Sequence, residues 1–260
     1  MNNARPTVAI TGPDSWLRPM LIARLEAADM SVHDLGPGTS LVRAVDTVIH
    51  LPLLMPGSAS PANDVGASAG RMTFVAAATA KVPRVVVASR LASESPNPYV
   101  DALRALEHSA ANVCRHVTIV RTAHPVGGPA NPGPVVDALR RYRSELAALA
   151  DPMVHPVHVD DLLDAIEAAA DGRIGAGLVE LAGPTPWALS EFVQMVSAGI
   201  SDSSDSFLAQ WKLRAGGATG KAITSFLTDT SMPSHRLSSP LGTPQRDVAT
   251  IWNTVEADRP

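Results

Sequence analysis

Cysteine is almost missing from this sequence. Cys114 stands alone in 260 residues, so an internal disulfide is excluded, and its apolar neighbour Val113 suits an inert thiol in a core. Lysine is nearly as scarce, with only Lys81, Lys212 and Lys221, and no Lys/Arg-rich run occurs. With a formal net charge of -4, the chain has no field that would gather phosphate backbones or anionic lipid, and nucleic acid is not expected as a partner. No apolar run approaches the roughly 20 residues of a membrane span, so no membrane association is expected. The opening Met1 to Pro6 also lacks the cationic and apolar stretches of a secretory signal, and a cytoplasmic protein is the expectation. The four tryptophans, Trp16, Trp187, Trp211 and Trp252, are scattered and suit packing or a pocket wall. Abundant alanine, glycine and proline beside so little lysine has the look of a high-GC bacterial coding bias, and carries no mechanism.

What is present is a regular alternation. Thr7 to Ile10 is a β-branched run that meets a turn at Thr11-Gly12, followed by apolar residues at helical spacing from Leu17 to Ala28. Ser31 to Leu35 and Asp46 to Leu51 read as the second and third strands, and Asp64 to Lys81 as a helix stopped by Pro83. Val85 to Ala88 is continuously apolar, the mark of a strand buried on both faces. A helix over Tyr99 to Val113 and a strand over Val117 to Val120 continue the pattern. Beyond them the spacing predicts helices near Val135 to Ala150, Asp161 to Ala170 and Ser190 to Ala198, with strands at His155 to Val159 and Leu178 to Leu181. Ser201 to Ser206 and Arg214 to Gly220 read as flexible loops around an amphipathic segment, Phe207 to Leu213.

Strands alternating with helices imply parallel pairing through right-handed crossovers. The expected fold is therefore α/β, a Rossmann-type doubly wound sheet with its ligand crevice at the carboxyl ends of the strands. We expect a single domain over 1–260, with a core at 5–185 and a C-terminal substrate-pocket region at 186–260.

A phosphate-binding turn needs small residues so that backbone amides can approach a pyrophosphate. Here the turn is Thr11-Gly12-Pro13-Asp14-Ser15-Trp16-Leu17-Arg18. Against T-G-x-x-G-x-x-G, Gly12 is kept, Ser15 replaces the second glycine and Arg18 the third. Ser15 and Arg18 are able to grip a phosphate. Asp14 opposes one unless it faces solvent or caps the helix amides itself. A retained grip and a vestigial turn are both consistent with this pattern, and Trp16 is bulky enough to block or stack on a nucleotide. Asp34 ends the second strand 22 positions beyond Gly12, where a carboxylate bonds the ribose hydroxyls of NAD and disfavours the 2′-phosphate of NADP.

The order of further segments resembles NAD-dependent epimerase/dehydratase-like and NmrA-like proteins, atypical or extended members of the short-chain dehydrogenase/reductase family. The segments are Asp46 to Leu51, Asn63 with Gly66, Val82 to Ser89, Pro98-Tyr99, Glu107, Thr118 to Arg121, Val126 to Pro129, His155 to Asp161, Leu181 to Pro184, Leu189 to Glu191 and Leu241 to Pro244. Together they span Thr7 to about Trp252. The resemblance implies an NAD or NADP cofactor held by Thr11, Gly12, Ser15, Trp16, Leu17, Asp34, Leu51 and Pro52, and a small organic molecule as substrate or ligand. It also implies homodimerisation through the helix bearing Tyr99 and the helix before it.

In that family a tyrosine is the acid/base, a lysine four residues on lowers its pKa, and a Ser/Thr orients the carbonyl. Tyr99 matches the tyrosine, but Leu103 stands at the lysine position. Arg104 points about 100° away on the helix. Leu91 stands at the Ser/Thr position, leaving Ser89, Ser93 or Ser95 as substitutes, with Ser89 also suited to bonding backbone at the strand end. Standard dehydrogenase chemistry is thus impaired. Three functions remain open: an oxidoreductase or epimerase, a non-catalytic NmrA-like nucleotide sensor or protein-binding regulator, and a non-redox isomerase or cyclase. His50 and His124 are alternative acid/base candidates. His155, His158, Asp160 and Asp161 are not read as a metal site, because the family motif uses this stretch to cap the next helix.

Overall fold

The computed structural model describes residues 5–36, 45–52, 63, 65–91, 97–128, 130–141, 153–197, 244–250 and 252. In chain order these form β1 (Thr7–Thr11), α1 (Leu17–Ala27), β2 (Ser31–Gly36), β3 (Thr47–His50), α2 (Ala67–Thr79), β4 (Arg84–Arg90), α3 (Pro98–Val113), β5 (Val117–Thr122), β6 (Pro125–Val126), α4 (Pro134–Arg141), β7 (Met153–Val154), β8 (Val157–His158), α5 (Val159–Asp171), β9 (Gly177–Leu181), β10 (Trp187–Ala188) and α6 (Leu189–Ser197).

Six strands form one parallel sheet in the order β2-β1-β3-β4-β5-β9. The order reverses at β1, which places the crevice of a doubly wound sheet above the carboxyl ends of β1, β3 and β4. The alternation of strand side chains builds a core on each face. Val85 and Val87 of β4 join Phe74, Leu103, Leu106 and Ala110 of α2 and α3. Val86 and Ala88 join Leu17, Leu21, Leu162 and Ile166 of α1 and α5. That two-sided burial is why this strand is apolar at every position from Val85 to Ala88.

Helix entries follow from local chemistry. Asn97 caps α3, its Oδ1 accepting from Tyr99 N at 3.0 Å and Val100 N at 3.4 Å, with Pro98 at the first helical position. His158 caps α5 by accepting from Asp160 N at 3.0 Å, and Gly172 ends that helix at φ +87°. The segment expected as a strand over His155 to Val159 is correspondingly short. Only Val157 and His158 pair, with β6, because the capping geometry turns the chain into α5.

Three short strands, β6, β7 and β10, carry too few residues for the period-2 pattern to register in the sequence. The helix expected over Val135 to Ala150 is described as Pro134–Arg141. The loops and amphipathic segment expected over Ser201 to Gly220 lie outside the described residues. Near the end of the chain, Arg246 pairs with Asp161 at 2.5 Å and Asp164 at 2.9 Å, Asp247 accepts from Thr185 Oγ1 at 2.8 Å, and Trp252 packs under the Arg140 guanidinium. This tail is thereby tied to α5 and α4.

One glycine is indispensable to the crossing of β1 and β3. Gly12 has φ +112°, and a Cβ there would stand 2.1 Å from the Leu51 carbonyl oxygen, a backbone atom that cannot swing aside. Gly12→Ala is therefore expected to cost about 3 kcal/mol or more, from strained backbone and steric conflict together. Chemical denaturation checks this through a lowered midpoint at unchanged slope.

Candidate functional site

The turn after β1 is drawn tight by its neighbours. Leu51 N donates to Thr11 O at 2.8 Å and Gly12 N to Gly36 O at 3.1 Å, so Thr11, Gly12, Leu51 and Pro52 meet at one edge of the sheet. Asp14 faces solvent. Among the described residues no side chain caps α1: Trp16 occupies the cap position, and the hydroxyl of Ser15, a residue 8 % exposed, is buried with no hydrogen-bond partner. A helix N-terminus without a side-chain cap beside an unpartnered buried hydroxyl is suited to an anion. Of the two roles open to Asp14, solvent exposure is the one observed.

Trp16 does not lie back over the turn. Its ring rests on the loop that follows β6, where Gly127 and Gly133 leave room for it; a Cβ at Gly133 would stand 2.7 Å from the indole. Asn131 Nδ2 of the same loop reaches Met20 Sδ at 3.6 Å. Arg18 runs underneath. Only 5 % exposed, it donates from NH2 to Gly12 O at 2.6 Å and Pro13 O at 3.0 Å, and from NH1 to Asp34 Oδ1 at 2.5 Å. The sequence placed Arg18 in the turn but did not show this pairing with Asp34. An arginine and an aspartate 16 positions apart on consecutive elements were the only signal.

Tyr99 opens α3 and is 2 % exposed, within the core cluster that contains Leu103. Leu103, in the lysine's place, is fully buried. Ser89, at the end of β4, donates its hydroxyl to the Glu107 carboxylate rather than to backbone. Glu107 itself is 2 % exposed and takes further donors: Arg104, with which it pairs at i,i+3, and Arg121, whose NH2 lies 2.6 Å from Oε2 and Nε 3.2 Å from Oε1. Arg104 also donates to Arg90 O at 2.7 Å and to Ser89 Oγ at 3.3 Å. This buried carboxylate ties the middle of α3 to the ends of β4 and β5. Leu91, in the Ser/Thr place, is buried, and Ser93 and Ser95 lie outside the described residues.

Sequence reasoning missed Arg90 altogether, because a charged residue closing an apolar strand reads as a solvated end. It is instead 1 % exposed, its guanidinium lying along the His124 imidazole with NH1 3.1 Å from Nδ1 and NH2 3.5 Å from Nε2. Burial pulls the Arg90 pKa down to about 9, opposed by an electrostatic interaction with Tyr99. Burial, and then the Arg90 charge, holds His124 well below the usual histidine range, so the imidazole is neutral. Arg90, Tyr99 and His124 thus converge at the carboxyl ends of β4 and β5.

His50 is committed elsewhere. Its Nε2 donates to Val65 O at 2.9 Å, which leaves Nδ1 to accept from the Thr11 hydroxyl at 3.0 Å. Fully buried against Phe74, it joins β1, β3 and the entry to α2. Among the described residues no group of three or more His, Cys, Asp or Glu side chains is placed to hold a metal, and no helix is long and apolar enough to cross a membrane.

This geometry defines a Rossmann-type doubly wound α/β fold. No family model matches the chain, and no curated protein matches it by sequence. Solved structures do match. MoeE5 in complex with UDP-glucuronic acid and NAD superposes with a TM-score of 0.67 at 19% identity, over 96% of this chain and 99% of its own. WbmG of Bordetella bronchiseptica in complex with NAD gives 0.63 at 13% identity, over 98% and 94%. A dTDP-4-dehydrorhamnose reductase of Bacillus anthracis in complex with NADP gives 0.58 at 16% identity, over 75% and 80%. These likenesses establish the fold expected from the alternation of elements.

His50 makes the fold acid-sensitive. Burial first, offset by the Val65 bond and deepened by the Arg18 charge, lowers its pKa from 6.5 to about 4. Between those values the unfolded chain binds the proton and the folded chain does not, so stability is full above pH 6.5 and is lost as the pH falls towards 4. The loss amounts to roughly 3 kcal/mol. Melting temperature measured against pH should show this acid limb, and His50→Gln should shrink it without removing it, because the buried His124 contributes in the same direction.

Proposed function

We propose that the chain binds a nicotinamide dinucleotide across the carboxyl ends of β1 to β5 and acts on a small organic molecule held beside Tyr99. The observation that supports this most is the pairing of two groups across the turn: the Ser15 hydroxyl, buried and unpartnered at the uncapped start of α1, and the Asp34 carboxylate, 41% exposed near the end of β2. One suits a pyrophosphate and the other a ribose diol. Thr11, Gly12, Trp16, Leu17, Leu51 and Pro52 are the further residues this reading assigns to the cofactor. The dinucleotide would supply hydride to or from the ligand. The part of the chain is to position both molecules, exclude water and move a proton at the Tyr99 hydroxyl.

Leu103 leaves that hydroxyl without the lysine of the short-chain dehydrogenases, and in this reading the buried Arg90 supplies the positive charge instead. His124 accepts from Arg90 and keeps the guanidinium oriented. MoeE5, which shares the fold, is solved with UDP-glucose and with UDP-glucuronic acid, which makes nucleotide sugars the first compounds to test. A specific observation favours a second reading, that of an NmrA-like sensor which binds a dinucleotide without turnover. Leu91 and Leu103 are buried at the hydroxyl-orienting and charge-bearing positions of a dehydrogenase, and Ser89, a substitute hydroxyl, is engaged by Glu107.

Calorimetric titration with NADH and NADPH checks the proposal. Binding tighter than about 1 mM is expected for at least one of them, and silence with both refutes it. Tyr99→Phe separates the two readings. In an enzyme it should lower turnover by about a hundredfold or more with cofactor affinity kept, whereas a sensor shows binding and no turnover in either form.

A further inference from the structure

Arg18 stands where a small residue is expected, yet its side chain is neither solvated nor aimed at the start of α1. Its NH2 is anchored to two backbone carbonyls, Gly12 O and Pro13 O, and its NH1 reaches the Asp34 carboxylate. Three acceptors, two on the turn after β1 and one on β2, fix the guanidinium behind the carboxylate, at 5 % exposure. Asp34 is the outward member of the pair. Its Oδ1 takes both available donors, Arg18 NH1 and Gly36 N at 3.0 Å, while Oδ2 has no donor among the described residues.

Resting on the dinucleotide reading above, we propose that Arg18 is a positioning residue which holds Asp34 with Oδ2 turned outward to accept a ribose hydroxyl, so that the Arg18–Asp34 pair sets a preference for NAD over NADP. A lone aspartate near a strand end is free to rotate about χ1 and χ2. One whose Oδ1 is held by a cation and a backbone amide presents its second oxygen in a single direction. A 2′-phosphate, carrying about -1.5 to -2 charges, meets that carboxylate first. The guanidinium behind it can turn to a phosphate only by giving up its carbonyl partners.

The same geometry stores the opposite preference. With the carboxylate removed, NH1 loses its charged partner at the edge where a 2′-phosphate would arrive, and the cation becomes available to it. A purely structural arginine, present only to fill the space of the missing glycine, would show no such reversal.

The test measures NADH and NADPH dissociation constants by calorimetry on the full chain, with melting temperatures as the control for folding. Wild type should favour NADH by about tenfold or more, the size expected of a hydrogen bond to a charged group. Asp34→Asn, a change at a partly exposed side chain, should shift the NADPH-to-NADH affinity ratio towards NADPH by about a hundredfold, from a loss on one side and a gain on the other. Adding Arg18→Met to Asp34→Asn should abolish the NADPH gain. The inference is overturned if wild type prefers NADPH, if Asp34→Asn leaves the ratio unchanged, or if the double variant, folded by its melting curve, keeps the ratio of the single one. Should Arg18→Met not fold, Arg18→Gln in the same Asp34→Asn background replaces it, with the same loss of the NADPH gain expected and retention of the gain overturning the inference. Wild type that binds neither dinucleotide overturns the cofactor reading and this inference together, an outcome distinct from binding with an unmoved ratio.

Discussion

The backbone of Gly12 passes the Leu51 carbonyl so closely that no side chain fits between them, and the carboxyl edge of the sheet is organised around that approach. Leu51 N bonds to Thr11 O across it, and Thr11 in turn gives its hydroxyl to His50, which holds the Val65 carbonyl ahead of α2. On the other side Gly12 N reaches Gly36, and Arg18 ties the carbonyls of Gly12 and Pro13 to Asp34. β1, β2, β3, α1 and the entry to α2 are thus joined within one patch. A change of even one methyl group at its centre is felt by all of them, because interiors of this density have no slack.

The helix that carries Tyr99 is docked by polar rather than apolar specificity at its middle. Glu107 is buried and surrounded by Ser89, Arg104 and Arg121, a set of charge-assisted bonds whose net contribution to stability is small but whose disruption leaves an uncompensated charge in the core. Such a network fixes the rotation and register of α3 against β4 and β5. Tyr99, two turns before Glu107, inherits its position from that register and from the Asn97 cap. In this way residues far from a ligand determine where the phenol stands relative to Arg90 and His124.

The architecture was legible because it is written in periodicity. β4 is apolar at consecutive positions since each face meets a different pair of helices, and Pro98 after Asn97 or Gly172 after Asp171 are local stop and start chemistry. The site was less legible because its side chains act across elements. The spacing of Gly12 and Asp34 follows from the strand-turn-helix-strand unit, but nothing in a linear pattern shows that Arg18 folds back on both. Ser89 stood at a plausible catalytic place and is instead bonded to Glu107, a partner 18 residues away on a helix. Arg90 left no trace, since burying a guanidinium depends on His124 and Tyr99 arriving from two other segments. The short ladders β6–β8 and β7–β10 are set by tertiary contact and not by pattern.

The indole of Trp16 and the bare backbone of Gly133 fit as a peg and its notch, from segments more than a hundred residues apart in the chain. Neither is free to change alone. A side chain at 133 would strike the indole and would also be strained by the backbone there, at φ +86°, so a smaller ring at 16 does not by itself open position 133. Through descent, position 133 should therefore stay glycine wherever this turn keeps its shape, while any shrinkage at 16 leaves a void that other neighbours must fill.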